Sequence, residues 1–359
     1  MDSRISPDEW VRLAELMSHA GSGNLCRNVA FVCGKGDDFT VCKNRISSSA
    51  DVSEKSWEVL RVFYPSWQAG PKTILYDSPP FISNPYGDTA IIPSDVSCDE
   101  LKRYRYLIMT GWNRADADFA AKMLNYVRGG GVLLLTWAHL YTESERSRAL
   151  MHQSPIFFND DIRELTGLQG ADFTAEVPVL NPPVRGSKIG MLDHRIGEGR
   201  VLLINSKCYP GERPIRRAYS ALVQQIAQES RSEEYKWGWV SADRGIYTVA
   251  CDAEDRRIFY LVDVRRKKAG GSRVRAVLHM GESECGFPVD RAGISVMTLF
   301  PGLGILTTEG TVEVIGFDGD AIRLSGSGWV KVVLFRWVDG EIQISERRLE
   351  LCGETVEKI

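Results

Sequence analysis

Apolar residues change their spacing along this chain, and each spacing predicts a different element. In residues 6–20 (SPDEWVRLAELMSHA), Trp10, Leu13, Leu16 and Met17 recur on one helical face. Ser6 caps this predicted helix, Pro7 suits its first turn, and Glu9 completes a capping box. Short, continuous aliphatic runs follow at Val29–Cys33, Thr73–Tyr76, Tyr106–Thr110, Val132–Thr136 and Val201–Asn205. Runs of this kind suit strands buried on both faces of a parallel sheet. Helical patterns at Lys55–Phe63, Asp116–Val127 and Ile215–Glu229 lie between or after them. Strand alternating with helix predicts an open, mostly parallel α/β sheet with helices on both faces.

From Gly245 onward the helical spacing disappears. Strand-like runs at Ile246–Ala250, Ile258–Val264, Val274–His279, Thr311–Phe317, Ala321–Leu324, Trp329–Trp337 and Glu341–Ser345 predict an antiparallel β-sandwich. Arg265–Ser272 reads as a hairpin tip, Gly326-Ser327-Gly328 as a turn between strands, and Asp339-Gly340 as a tight turn. The polar stretch Glu229–Tyr235 separates the two patterns. The expected organisation is an N-terminal helix and linker (1–27), an α/β domain (28–230) and a β-sandwich (236–359).

Composition removes several classes of function. At 43% apolar and 25% charged the chain is that of a globular protein. A net charge of −3 gives no footprint for nucleic acid or an anionic membrane. The eight cysteines form no CxxC pair and the five histidines no HExxH, so neither a metal site nor a cofactor is expected. With no leader pattern at Met1-Asp2-Ser3-Arg4 and no bilayer-length apolar run, the expected location is the cytoplasm.

Open parallel sheets bind ligands beyond the carboxyl ends of their strands. Those ends carry Gly34-Lys35-Gly36-Asp37-Asp38, Asp77, Gly111-Trp112-Asn113, Trp137-Ala138-His139, and Asn205 with Tyr209. Trp112, Asn113, Trp137 and His139 are the candidate sugar-binding rim, although indoles at strand ends also serve as packing. Asp37, Asp77 and His139 are the candidate acid–base groups, since paired carboxylates hydrolyse glycosides. Gly34-Lys35-Gly36 lacks phosphate-loop spacing and is followed by acid, so it reads as a turn. Cys33 and Cys208 have no neighbouring histidine and read as small apolar residues.

Several stretches together resemble the non-barrel part of multidomain glycoside hydrolases. They are NVAFVCGKGDDF (28–39), SWEVLRVFYPSW (56–67), NPYGDTAIIPSD (84–95), YRYLIMTGWN (104–113), YVRGGGVLLLTWAHL (126–140) and GEGRVLLINSKCYPG (197–211). The resemblance is to a glutamine-amidotransferase-like, flavodoxin-like domain such as the trimerisation domain of family-42 β-galactosidases, with a β-sandwich after it. It implies a flavodoxin-like sheet. The amidotransferase nucleophile elbow is missing, because Trp137-Ala138-His139 follows Thr136. The barrel is missing as well, since it needs ~200–250 residues and only 27 precede the first strand. The resemblance therefore implies an accessory chain of a carbohydrate-active assembly, working with a (β/α)8-barrel glycosidase subunit or as a homo-oligomer, with a carbohydrate as ligand. The other expectations are a stand-alone glycoside hydrolase or transferase and a sugar-binding module.

Overall fold

The computed structural model describes residues 24–25, 28–35, 37, 56–64, 89–143, 155–169, 189–234, 238–242, 246–263, 275–289, 294–308 and 312–359. The predicted helix 6–20, strand 73–76, Asp38, Asp77 and hairpin tip 265–272 lie outside the described residues. The chain divides into two compact units, one of Arg27–Pro80 with Asp88–Ser232, the other of Glu233–Ile359 with Met1–Cys26 and Phe81–Gly87. No helix among the described residues is long and apolar enough to cross a membrane.

The strands, in chain order, begin with β1 (Asn24–Leu25), which belongs to the second unit, and β2 (Val29–Cys33). The first unit continues with a 3-10 turn (Trp57–Val62), β3 (Thr89–Pro93), α1 (Cys98–Leu101), β4 (Tyr106–Met109), α2 (Ala117–Arg128) and β5 (Val132–Thr136). A second 3-10 turn (Trp137–Leu140), α3 (Asp160–Thr166), β6 (Met191–Ile196), β7 (Gly199–Ile204) and α4 (Arg216–Glu234) complete it. Its six-stranded sheet is mixed, in the order β3-β2-β4-β5-β7-β6, parallel throughout except for β6 against β7.

The aliphatic runs are central strands because both of their faces are covered. Ala30, Val32, Leu107, Met109, Leu133, Leu135, Val201 and Leu203 share a core with Phe119, Met123 and Val127 of α2 and with Ile162 and Leu165 of α3. Residues of the opposite parity meet other partners. Phe31 packs edge-on against Phe63 at 5.6 Å. From α4, the Tyr219 hydroxyl donates to the carbonyls of Met109 and Leu134. The Asp116 carboxylate accepts from the Phe119 amide at 2.9 Å to start α2, and Gly129 caps its end. The sequence pattern misses β3 and β6, and within the helix predicted over Lys55–Phe63 the residues Trp57–Val62 form a 3-10 turn.

The second unit is antiparallel. It holds β8 (Trp239–Ala242), β9 (Ile246–Asp252), β10 (Arg257–Asp263), β11 (Arg275–Met280), β12 (Ser283–Pro288), β13 (Ile294–Phe300), β14 (Leu303–Thr308), β15 (Val312–Phe317), β16 (Ala321–Val338) and β17 (Glu341–Lys358). A small sheet, β12-β11-β8, faces a large one, β1-β9-β10-β13-β14-β16-β15, with β17 also paired to β16. Leu278 and Phe287 from the small sheet and Phe259, Met297 and Phe335 from the large one form their common core.

One turn assignment is corrected. Gly326-Ser327-Gly328 lies inside β16, and β17 pairs with β16 along its full length, from Ala321↔Lys358 to Val338↔Glu341. Gly328 and Gly353 take φ of 82° and 83°, a left-handed conformation that bends a strand without ending its ladder. The bend lets β16 pair β15 over residues 322–326 and β14 over residues 331–336, which curls the large sheet around a second core of Phe300, Ile305, Leu324, Val332 and Leu351. Asp339 and Gly340, both at positive φ (52° and 85°), make the expected two-residue hairpin turn.

Candidate functional site

The carboxyl ends of β2, β4, β5 and β7 bring Asp37, Asn113, Trp137, His139 and Tyr209 into one polar cluster. After β2 the chain makes a turn closed by the Asp37 amide donating to the Gly34 carbonyl at 3.1 Å. The turn returns Asp37 over Gly111 after β4. A Cβ on Gly111 would lie 1.6 Å from Asp37 Oδ2, so only glycine fits beneath the carboxylate. The Trp57 indole donates to the same oxygen at 3.0 Å, and the Cys33 thiol donates to the Asp37 carbonyl at 3.3 Å. Half-buried, Asp37 thus sits among donors of its own unit.

Asn113 ties three loops together. Its Oδ1 accepts from the Lys35 amide at 3.0 Å, its Nδ2 donates to the His139 carbonyl at 2.7 Å, and its own amide donates to the Tyr209 hydroxyl at 3.4 Å. The residue is fully buried. His139 is equally buried. Its Nδ1 accepts from the Thr136 amide at 2.9 Å in a capping box on the Trp137–Leu140 turn. Burial lowers the pKa of this imidazole to about 3, against the smaller upward pull of hydrogen bonding to the Thr110, Thr136 and Gly111 backbone. A base held neutral in this way, with its ring edge against Tyr209 at 5.4 Å, anchors a loop and exchanges no proton near neutral pH.

Stacking on a sugar needs an indole face open to solvent. Trp112 and Trp137 are only 3% and 1% exposed. Trp112 packs with Ala138, Tyr141 and Tyr209, and Trp137 lies in the core under the sheet, its indole donating to Asn205 Oδ1 at 3.3 Å. Burial raises the Tyr209 phenol and the Cys208 thiol above their ordinary values, which keeps both protonated. Lys35 pairs with Asp116 Oδ2 at 2.8 Å, so the glycine-flanked lysine meets the cap of α2. Burial pushes the Asp116 carboxyl up. Bonds from Lys35 and the Phe119 amide, with the charges of Lys35 and Arg114, outweigh it and leave the group below the usual range.

Trp57 and Asp116 complete this cluster and are not among the strand-end residues read from sequence; Gly111 is among them but is given no role there. Gly111 between Thr110 and Trp112 was the available signal, since a glycine at the end of a buried strand admits a close neighbour. Among the described residues, no three His, Cys, Asp or Glu side chains stand together as a metal site.

No protein-family model and no curated protein matches this sequence. Among solved structures, the chain is similar to Gan42B, a GH42 β-galactosidase from G. stearothermophilus, with a TM-score of 0.45 and 11% identity over 80% of this chain and 42% of that one. It is also similar to a β-galactosidase from Bacillus circulans sp. alkalophilus, with a TM-score of 0.40 and 8% identity over 97% of this chain and 43% of that one. The chain spans less than half the length of either structure. Both structures are of β-galactosidases, and both TM-scores lie below 0.5.

Proposed function

We propose that this chain is an accessory chain of a carbohydrate-active assembly and takes no catalytic part in glycoside chemistry at the edge of its α/β sheet. The sheet is read as flavodoxin-like. Its parallel strands β3-β2-β4-β5-β7 run in the order 2-1-3-4-5, and β2, β4, β5 and β7 bury both faces, which supports that assignment. One observation carries the non-catalytic part. At the carboxyl ends, where such sheets hold ligands, Asp37 is bonded to Trp57 and pressed on Gly111, while Asn113 and His139 are wholly buried. The carbohydrate part rests on the resemblance of the six sequence stretches. A closed edge of this kind leaves the chain an oligomerisation surface or one wall of a site completed by a barrel subunit.

The test is hydrolysis of a panel of aryl-glycosides by the purified chain, with light scattering for its mass. No turnover is expected from the chain alone, and Asp37→Asn is expected to match it. Turnover that disappears in Asp37→Asn overturns the proposal.

A further inference from the structure

The small sheet of the β unit carries a constellation that glycoside chemistry does not require. Ser241 of β8, His279 of β11 and Glu284 of β12 stand side by side across its three strands. Register explains the meeting. His279 lies opposite Glu284 on one side and opposite Trp239 on the other, and Ser241 is two residues beyond Trp239 on the same pleat face. Ser241 Oγ is 2.9 Å from His279 Nε2, and His279 Nδ1 is 2.9 Å from Glu284 Oε1. A carboxylate can only accept, so Nδ1 carries the proton and Nε2 accepts from the serine hydroxyl. The Trp239 indole stacks on the imidazole at 3.7 Å and 8°, fixing the plane of the ring. Ala276, Leu278, Met280 and Phe287 face the core, so the constellation lies on the opposite face of the sheet, where Ser241 is half-buried and the Glu284 side chain is 64% exposed.

Hydroxyl, base and orienting carboxylate in hydrogen-bonded sequence are the parts of an activated serine nucleophile. We propose that Ser241, His279 and Glu284 form an acyl-transfer site for carboxylic esters. Ser241 is half-buried and Glu284 exposed while His279 is buried, which suits an ester group displayed on a larger molecule. Ser241 Oγ attacks the ester carbonyl carbon while its proton passes to His279 Nε2. The bond to the alcohol oxygen breaks, and the departing alcohol takes that proton, leaving Ser241 acylated. Water then attacks the acyl carbon, giving its proton to Nε2. The carboxylic acid leaves as Ser241 recovers the proton, so ester and water become acid and alcohol. Glu284 acts through His279 and is a positioning residue. This inference stands apart from the accessory-chain reading, because it uses none of the α/β residues.

The experiment uses the full chain with 4-nitrophenyl acetate and with a fluorophosphonate, followed by mass mapping of the labelled residue. Ester turnover and labelling at Ser241 are expected, with kcat falling about 100-fold or more in Ser241→Ala. The exposed Glu284→Gln leaves the fold intact and is expected to lower kcat about 10-fold or more at unchanged KM, with partial recovery in Glu284→Asp. Absence of turnover and labelling in the folded wild-type chain, labelling at another residue, or full activity in Ser241→Ala overturns the proposal. A merely structural cross-strand pin would shift the denaturation midpoint of Ser241→Ala and give no label. Failure on aryl-glycosides leaves this result unaffected, and the reverse holds as well.

Discussion

His139 and His279 are held in different ways, His139 at Nδ1 and His279 at both ring nitrogens, and the difference separates architecture from chemistry. His139 takes its hydrogen bond from the backbone of its own turn, is fully buried, and is kept neutral by burial. His279 is bonded to two side chains, a serine hydroxyl and a carboxylate, on three different strands of a sheet face where the carboxylate meets solvent. Backbone partners fix a loop and cannot react, whereas side-chain partners of this kind line up a proton path. Position at the carboxyl end of a parallel sheet is therefore a weaker guide to function than the identity of the bonded partners.

The contrast breaks first at Asn113. If the carboxyl edge is a closed structural knot, Asn113→Ala strands the buried His139 carbonyl and the Lys35 amide together. Each unsatisfied buried group costs about 1–3 kcal/mol, so a loss of about 3 kcal/mol or more is expected in urea denaturation. A loss below about 1 kcal/mol would mean that the knot is open to water. Gly111→Ala is the next largest effect. Its methyl must displace the Asp37 carboxylate from the Trp57 indole, an overpacking that costs about 2 kcal/mol and changes the emission of Trp57.

Much of the fold was legible in the sequence because burial on both faces leaves a direct record. Val29–Cys33 and Val132–Thr136 read as strands with the bounds they have. What failed had physical causes. Ala321–Leu324 and Trp329–Trp337 looked separate because Gly326-Ser327-Gly328 has turn composition. In a curled ladder the same glycines supply the bend and β17 holds the pairing through it. At the site, residue type located Asp37, Asn113 and His139 at one edge, but burial, which decides what they do, depends on Trp57 and Gly111 from other segments. The Ser241–His279–Glu284 alignment had no local signal at all. It arises from cross-strand register, and spacings of 38 and 5 residues, from 241 to 279 and from 279 to 284, carry no helical or strand period.

The pH dependence of stability sharpens the comparison further. His139 binds a proton in the unfolded chain near its ordinary 6.5 but in the folded chain only near 3. Its contribution is thus fully present above about pH 6.5 and drains away as the pH falls toward 3, because the unfolded state binds more protons across that window. The slope from one such group approaches about 1.4 kcal/mol per pH unit. In His139→Asn, whose side-chain oxygen can still accept from Thr136, urea midpoints measured from pH 7 to pH 4 are expected to fall less steeply than in the wild type. An unchanged slope would show that water reaches the imidazole and that the edge is not closed around His139.

The smallest effect tests the rim of the same edge. Lys35 and Asp116 pair at 2.8 Å, but their side chains are 27% and 38% exposed, so solvent screens the attraction. Asp116→Asn keeps the side-chain oxygen that caps α2 and removes the charge, which makes it the suitable partner for Lys35→Met in a double-mutant cycle. The expected coupling is below about 1 kcal/mol and shrinks with added salt. Since the Asp116 carboxyl lies below its ordinary range when folded, this contribution is present above that range and is lost as the pH falls through the lowered value. A coupling that persists in high salt would place the pair within the closed knot, extending the structural role of the edge outward to α2. A weak, screened coupling would confine that role to the buried bond between Asn113 and His139 and to Asp37 held by the Trp57 indole.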